Sequence, residues 1–196
     1  MSASLTVVIP TQGRATLPRC LESMRTDLQG GYQAEILIVA DTHSPLLMDV
    51  EGLCHLAGVT YLEHDAGYHD WGYPQLQVGY ERAQGDYILN IGDDDVYETG
   101  AFTVIRQAIA ELDSPRPLLF RALMHPSVSR PCGNPLLLWG QRGLIKRGRV
   151  TGQNLIAPNV LERLGTWVDD FIHLEQTVNL WGGLVEWRDE CIARCY

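Results

Sequence analysis

Tyr87-Ile88-Leu89-Asn90-Ile91-Gly92-Asp93-Asp94-Asp95 joins a short apolar run to three consecutive carboxylates. The apolar part has the length and composition of a buried strand. Such a strand has little use for clustered negative charge at its end. Adjacent carboxylates repel one another and resist losing water, so a positive partner normally joins them. A divalent metal carrying a phosphate-bearing substrate answers that need, because hard oxygen ligands suit magnesium or manganese. A solvated acidic turn capping a helix that starts near Glu98 answers it as well, since acids favour the positive end of a helix dipole.

Upstream, Leu5-Thr6-Val7-Val8-Ile9-Pro10 reads as another buried strand, and Thr11-Gln12-Gly13-Arg14 as a polar loop. Leu17, Cys20, Leu21 and Met24 then recur at helical spacing. Glu35 to Ala40 is a second strand stopped by Asp41, a weaker helix covers Leu46 to Leu56, and Gly58 to Leu62 is a third strand. Tyr73 to Gln84 has the pattern of a helix and Asp86 to Ile91 that of the fourth strand. Strands alternating with helices imply parallel βαβ units covered on both faces. In such sheets ligands gather at the carboxyl ends of the strands, where Asp41 and Asp93-Asp94-Asp95 both lie.

The second half is less regular. A helix is expected over Ala101 to Leu112, a strand over Pro117 to Leu123, and loops over Pro126 to Pro135. Leu136 to Trp139 and Gly143 to Val150 fit a hairpin or two edge strands, Val168 to Trp181 a helix, and Leu184 to Trp187 a final strand. There is no repeat, low-complexity stretch or linker, and 196 residues suit one domain with a sizeable core. The net charge of −9 disfavours nonspecific binding to a nucleic-acid backbone. Five cysteines without zinc-type spacing suit a reduced, cytoplasmic setting. Met1 to Ser4 carries no basic residue and Leu5 to Pro10 is a short apolar run, so no secretory leader is expected. No stretch reaches transmembrane length, so any membrane contact would be peripheral.

Four segments together carry a family likeness. Val7-Val8-Ile9-Pro10-Thr11-Gln12-Gly13-Arg14, Leu37-Ile38-Val39-Ala40-Asp41, Trp71-Gly72-Tyr73-Pro74-Gln75 with Gly85-Asp86-Tyr87-Ile88, and Gly92-Asp93-Asp94-Asp95-Val96-Tyr97 stand in that order. They resemble the GT-A fold inverting glycosyltransferases of the large family that includes spore-coat and polysaccharide-building enzymes. The resemblance implies one GT-A (Rossmann-like) α/β domain with a mainly parallel central sheet, flanking helices and a small antiparallel part in the second half. Residues 1–97 would form the nucleotide-sugar-binding half and 98–196 the acceptor-binding half.

The resemblance also implies an activity: metal-dependent, inverting transfer of a sugar from a UDP-sugar to an acceptor hydroxyl, with Mn2+ or Mg2+ as cofactor. The acceptor would be a glycan, a lipid-linked sugar, a small molecule or a hydroxylated base in modified DNA. A sugar-nucleotide-binding module without transfer is the alternative. Pro10, Thr11, Arg14, Asp41, Gly72 and Gln75 would border the nucleotide sugar, Asp93 the ribose, and Asp94 with Asp95 the metal. The family's commoner metal motif begins with an aspartate where this chain has Gly92, and an arginine often stands where this chain has Leu76. Asp169-Asp170 resembles an acidic pair whose second member is the general base, so Asp170 takes that role.

The residues themselves leave other readings open. Asp41 also suits the N-cap of a helix beginning near Ser44, and Asp169 and Asp170 suit a helix start. Arg14 is either a phosphate neighbour or a solvated first-turn residue, and Thr151 to Asn159 either borders the acceptor or is a polar loop before a strand. Tyr68, Trp71 and Tyr73 have faces for stacking, whereas Trp139, Trp181 and Trp187 read as core. His173 reads as a surface or hydrogen-bonded histidine. Arg142 and Lys146-Arg147-Gly148-Arg149 form a basic cluster, either a solvated turn or a contact for a phosphorylated or nucleic-acid acceptor.

Overall fold

The computed structural model describes residues 3–29, 34–43, 45–65, 72–124, 137–140, 142–143, 145–147 and 149–196. Strand β1 (Leu5–Thr11) lies parallel to β2 (Ala34–Asp41) on one side and to β4 (Tyr87–Asn90) on the other, and β2 is parallel to β3 (Thr60–His64). The intervening helices are α1 (Leu17–Gln29), α2 (Val50–Ala57) and α3 (Tyr73–Arg82). Successive side chains of a strand point to opposite faces. Val7 and Ile9 accordingly pack with Leu17, Cys20 and Met24 of α1, while Val8 packs with Leu76 and Tyr80 of α3. Burial on both faces explains why these strands read as unbroken apolar runs.

Beyond β4 the sheet continues through antiparallel β8 (Leu155–Pro158), then β6 (Leu118–Met124), β9 (Glu186–Cys195) and the two-residue β5 (Val96–Tyr97). Strand β7 (Leu137–Trp139) pairs with β6 off this path. Helix α4 (Ala101–Ala110) buries Phe102 and Ile105 on the α1 side, and α5 (Asp170–Leu180) follows an extended segment. This is the expected mainly parallel sheet with an antiparallel part in the second half. Among the described residues no helix is long and apolar enough to cross a membrane.

Several expectations need correcting. Helix α2 starts at Val50 and is capped by Asp49, whose carboxylate accepts from Gly52 N–H at 2.9 Å, so Asp41 caps no helix. The described residues of 143–150 form turns rather than an edge strand. The last strand begins at Glu186 and runs for 10 residues, past the end expected at Trp187 and through the polar Arg188-Asp189-Glu190. Tyr68, Trp71, Cys132 and the stretch 126–135 lie outside the described residues, as does the side chain of Trp139.

One contact fixes how closely α3 lies on the sheet. A Cβ at Gly79 would come within 2.2 Å of Val8 Cγ1. Gly79→Ala brings two opposed effects, a helix-propensity gain of about 1 kcal/mol and an overpacking cost of about 1–3 kcal/mol. The clash should win, lowering stability by on the order of 1 kcal/mol and moving the urea midpoint down. An unchanged or higher midpoint would show that α3 tolerates lifting away from β1.

Candidate functional site

The parallel register sets Thr11 beside Ala40, so Thr11 and Asp41 end neighbouring strands on one edge. The chain after β4 joins them there. Ile91 N–H donates to Val8 C=O at 3.2 Å, and two residues on, the Asp93 carboxylate accepts from Thr11 Oγ1 at 2.6 Å. Thr11 Oγ1 in turn accepts from Gly13 N–H at 2.9 Å. Asp41 is buried and its Oδ1 accepts from His43 N–H at 3.0 Å. Gly72, at φ +82°, opens α3 against Pro10, where a Cβ would lie 2.8 Å from the proline ring. One turn in, Gln75 is buried and its Nε2 has no hydrogen-bond partner among the described residues. Leu76 packs into the core with Val8, Leu37 and Ile88.

Each member of the acidic triplet has a different partner. Asp93 meets Thr11, and lies 3.4 Å from Arg14 Nη1. Asp94 is half-buried and takes the same Arg14 nitrogen at 2.7 Å, while its backbone carbonyl accepts from Arg19 at 2.7 Å. Asp95 is buried, with Oδ1 accepting from Tyr196 N–H at 2.8 Å and Oδ2 from Gln153 Nε2 at 2.7 Å. The triplet turns tightly, Asp95 N–H donating to Gly92 C=O at 3.1 Å. A Cβ at Gly92 would stand 2.9 Å from Asp94 Oδ1 and 3.0 Å from Asp95 Oδ2, so an aspartate in that place would crowd both carboxylates. Burial pushes the Asp93 carboxyl above its ordinary range and Asp95 up to about 7.

Asp170 approaches from the other half of the chain. It is the first residue of α5, whose N-cap Asp169 accepts from Ile172 N–H at 2.7 Å. Thr151 Oγ1 donates to Asp170 Oδ2 at 3.0 Å, and the Gly152 N–H adds a second bond to the same carboxyl. Burial nonetheless holds Asp170 above the ordinary carboxylate range. At Asp169 burial pulls upward, but the Ile172 N–H and the Arg147 guanidinium outweigh it and keep that carboxyl low. Gly152 has no room for a side chain, since a Cβ would meet Asn90 Nδ2 at 2.8 Å and Asp170 Oδ1 at 3.1 Å.

Thr151-Gly152-Gln153 is therefore a bridge. Thr151 holds Asp170, and Gln153, two residues on, holds Asp95. Sequence reasoning left this segment either at the acceptor border or as a polar loop before a strand, and missed the role of Gln153. A Thr151–Asn154 reciprocal cap marks the turn locally, yet nothing local announces a partner 58 residues away. The Tyr196 amide and Arg19 were missed for the same reason.

Behind Asp170 lies an aromatic stack. Trp167 is flat against His173, with centroids 3.7 Å apart, and Tyr80 meets both rings edge-on. Tyr73 stacks on Trp167 at 6.0 Å. His173 is buried, bonds Gly165 C=O through Nδ1 at 2.7 Å, and has no partner at Nε2 among the described residues. Burial depresses its pKa to about 4, so the ring is neutral at ordinary pH, and an Nδ1 facing a carbonyl carries the hydrogen.

Among the described residues, no three His, Cys, Asp or Glu side chains converge on a metal-sized point. The site instead offers the half-exposed Asp94 carboxylate, since both Asp95 oxygens are engaged. That donor set fits a magnesium-like cation, which is commonly held by one or two carboxylates plus phosphate oxygens of the substrate.

No protein-family model and no curated protein sequence matches the chain. Solved structures do. The chain superposes on S. aureus TarS with a TM-score of 0.68 at 12% identity, covering 98% of this chain and 36% of that one. The 1–349 fragment of TarS in complex with UDP-GlcNAc gives the same TM-score and identity over 98% of this chain and 58% of that one. Its complex with UDP gives 0.66 at 11% identity over 98% and 60%. The chain thus spans between about a third and three-fifths of those structures. At this level of identity the likeness establishes the fold, which is GT-A-like.

The buried histidine gives a pH signature. The unfolded chain takes up its proton near 6.5 and the native one only near 4, so stability present above 6.5 is lost as pH falls toward 4. His173→Phe keeps a flat ring on Trp167 but cannot titrate. The wild-type advantage in unfolding free energy over this variant should shrink by up to roughly 3 kcal/mol between pH 7 and pH 4, because carboxylate effects cancel between the two proteins. A pH-independent difference in urea titrations would contradict a buried neutral His173.

Proposed function

We propose that this chain is a glycosyltransferase that moves a sugar from a UDP-sugar to an acceptor hydroxyl with inversion. The observation that carries the reading is the Thr151–Gln153 bridge, which couples the triplet after β4 to the carboxylate opening α5. A nucleotide-diphosphate donor needs charge neutralised at one point and a base at another, and these are the two groups so joined. The TarS structures with UDP-GlcNAc and UDP on the same fold support the choice of donor.

In this reading Pro10, Thr11, Asp41, Gly72 and Gln75 hold the nucleoside along the strand ends, and Asp93 meets the ribose hydroxyls. Asp94 would hold a divalent cation, Mn2+ or Mg2+, which when bound neutralises charge developing on the leaving diphosphate. Asp95 supports the turn from beneath. Arg14 leaves Asp94 to donate to the diphosphate, a geometry for which a guanidinium is well suited. Asp170 takes the acceptor hydroxyl proton as the acceptor oxygen bonds to the anomeric carbon and the bond to the diphosphate breaks. Its raised pKa brings it closer to the working pH, where general bases are most effective. Thr151 O–H and Gly152 N–H fix its orientation. The acceptor is a glycan, a lipid-linked sugar, a small molecule or a modified nucleobase, and the proposed setting is cytoplasmic.

UDP with manganese should raise the melting temperature of the protein more than either alone. Asp94→Asn should abolish the manganese-dependent part and keep some response to UDP. No response to any nucleotide diphosphate or its sugars would defeat the donor assignment. Asp170→Asn should keep the UDP response while release of UDP from UDP-sugars falls by about 10²–10⁴-fold. Nucleotide binding without turnover in the wild type would favour the binding module instead.

A further inference from the structure

Four of the fifteen Lys and Arg residues of this −9 chain fall between positions 142 and 149. Arg142, Lys146, Arg147 and Arg149 are all exposed. The segment is nevertheless tied down. Arg142 donates to Trp187 C=O at 3.1 Å, Gly140 N–H donates to Arg149 C=O at 3.0 Å, and Arg149 N–H donates to Lys146 C=O at 2.9 Å. Arg147 pairs with Asp169 and lies over the Phe171 ring at 5.2 Å. Two residues after Arg149 the chain reaches Thr151, whose hydroxyl holds Asp170. The basic turn is thus fastened to both members of the acidic pair at the start of α5.

Among the described residues, one of the four charges, Arg147, is paired with an acid. Among the described residues, no acidic side chain forms an ion pair with Arg142, Lys146 or Arg149. A loop needed only for solubility gains nothing from being anchored beside a general base, and gathering like charges costs repulsion. An anion arriving next to Asp170 would recover that cost, while the negative remainder of the chain would repel it elsewhere.

We propose that this turn binds a phosphate group of the acceptor, with Lys146 and Arg149 as the contacting cations and Arg142 at its border. The inference rests on the reading of Asp170 as the acceptor-side base. It narrows the acceptor to a phosphate-bearing molecule, in place of a neutral glycan. Arg147 acts as a positioning residue through Asp169, leaving its two neighbours for the ligand. The phosphate comes either from a phosphorylated small molecule or from a repeating phosphodiester polymer, and its chemistry at the turn is the same.

The test uses the whole chain and the double variant Lys146→Glu, Arg149→Glu, neither residue being placed in the donor site. Binding of fluorescently labelled linear polyphosphate, inorganic phosphate and neutral dextran is measured at low and moderate salt. The wild type should bind polyphosphate, weaken as salt rises, and exceed the variant by roughly tenfold in affinity. Competition by inorganic phosphate at millimolar concentration points to a single phosphate group, and its absence to a polymer. Equal affinity of the two proteins for polyphosphate, no binding by the wild type, or preference for dextran would overturn the proposal. The UDP-induced melting shift, measured on the same samples, should be unchanged in the variant. Loss of that shift in the wild type itself would count against the donor reading and leave the phosphate result to stand separately.

Discussion

Three neighbouring carboxylates at the end of one strand cannot share a single solution, because each must find its own compensation for repulsion and lost hydration. Asp93 takes the Thr11 hydroxyl, Asp94 the Arg14 guanidinium, and Asp95 the Gln153 amide with the Tyr196 N–H. Each partner comes from a different part of the chain: the end of β1, the loop after it, the turn before β8, and the residue after β9. Satisfying the triplet therefore pins four segments to one point. Asp95, buried like Asp93, is the one whose partner ties the two halves of the chain together.

That arrangement separates the roles of the acids. Asp93 and Asp95 face inward and are held above their ordinary pKa by burial, whereas Asp94 faces outward toward an arginine that can be exchanged for other charge. Asp170, reached through Thr151 from the same turn, is oriented by two donors and backed by the Trp167–His173 stack. A hydrogen-bonded constellation of this kind suits chemistry in which the groups must be aligned before the reactants arrive.

The first half was legible in the amino-acid sequence because its strands are buried on both faces. Val7-Val8-Ile9 and Leu37-Ile38-Val39 have no polar position to disguise them. In the second half β6 and β7 fall on expected strands, while β8 and β9 were harder to read for physical reasons. Strand β9 is partly exposed and carries Arg188-Asp189-Glu190 in its middle, and β8 lies antiparallel between β4 and β6 through pairings of long sequence separation. In the site, Asp41, Thr11 and the triplet could be aligned from strand ends alone. Gln153 could not, since its contact depends on where β8 enters the sheet. The capping alternative for Asp41 falls because Asp41 and Asp49 both precede the helix and only the chain geometry between them chooses Asp49.

The central claim is that the outward carboxylate of the triplet and the ends of β1 and β2 form one donor site. Crystals grown with UDP and manganese, with anomalous scattering recorded at the manganese edge, test it most directly. The account predicts a single strong peak at the Asp94 carboxylate, the diphosphate beside it, the uracil next to Asp41, and Arg14 withdrawn from Asp94 toward the phosphates. A peak away from Asp94, or UDP bound elsewhere with the Arg14–Asp94 pair intact, would contradict it.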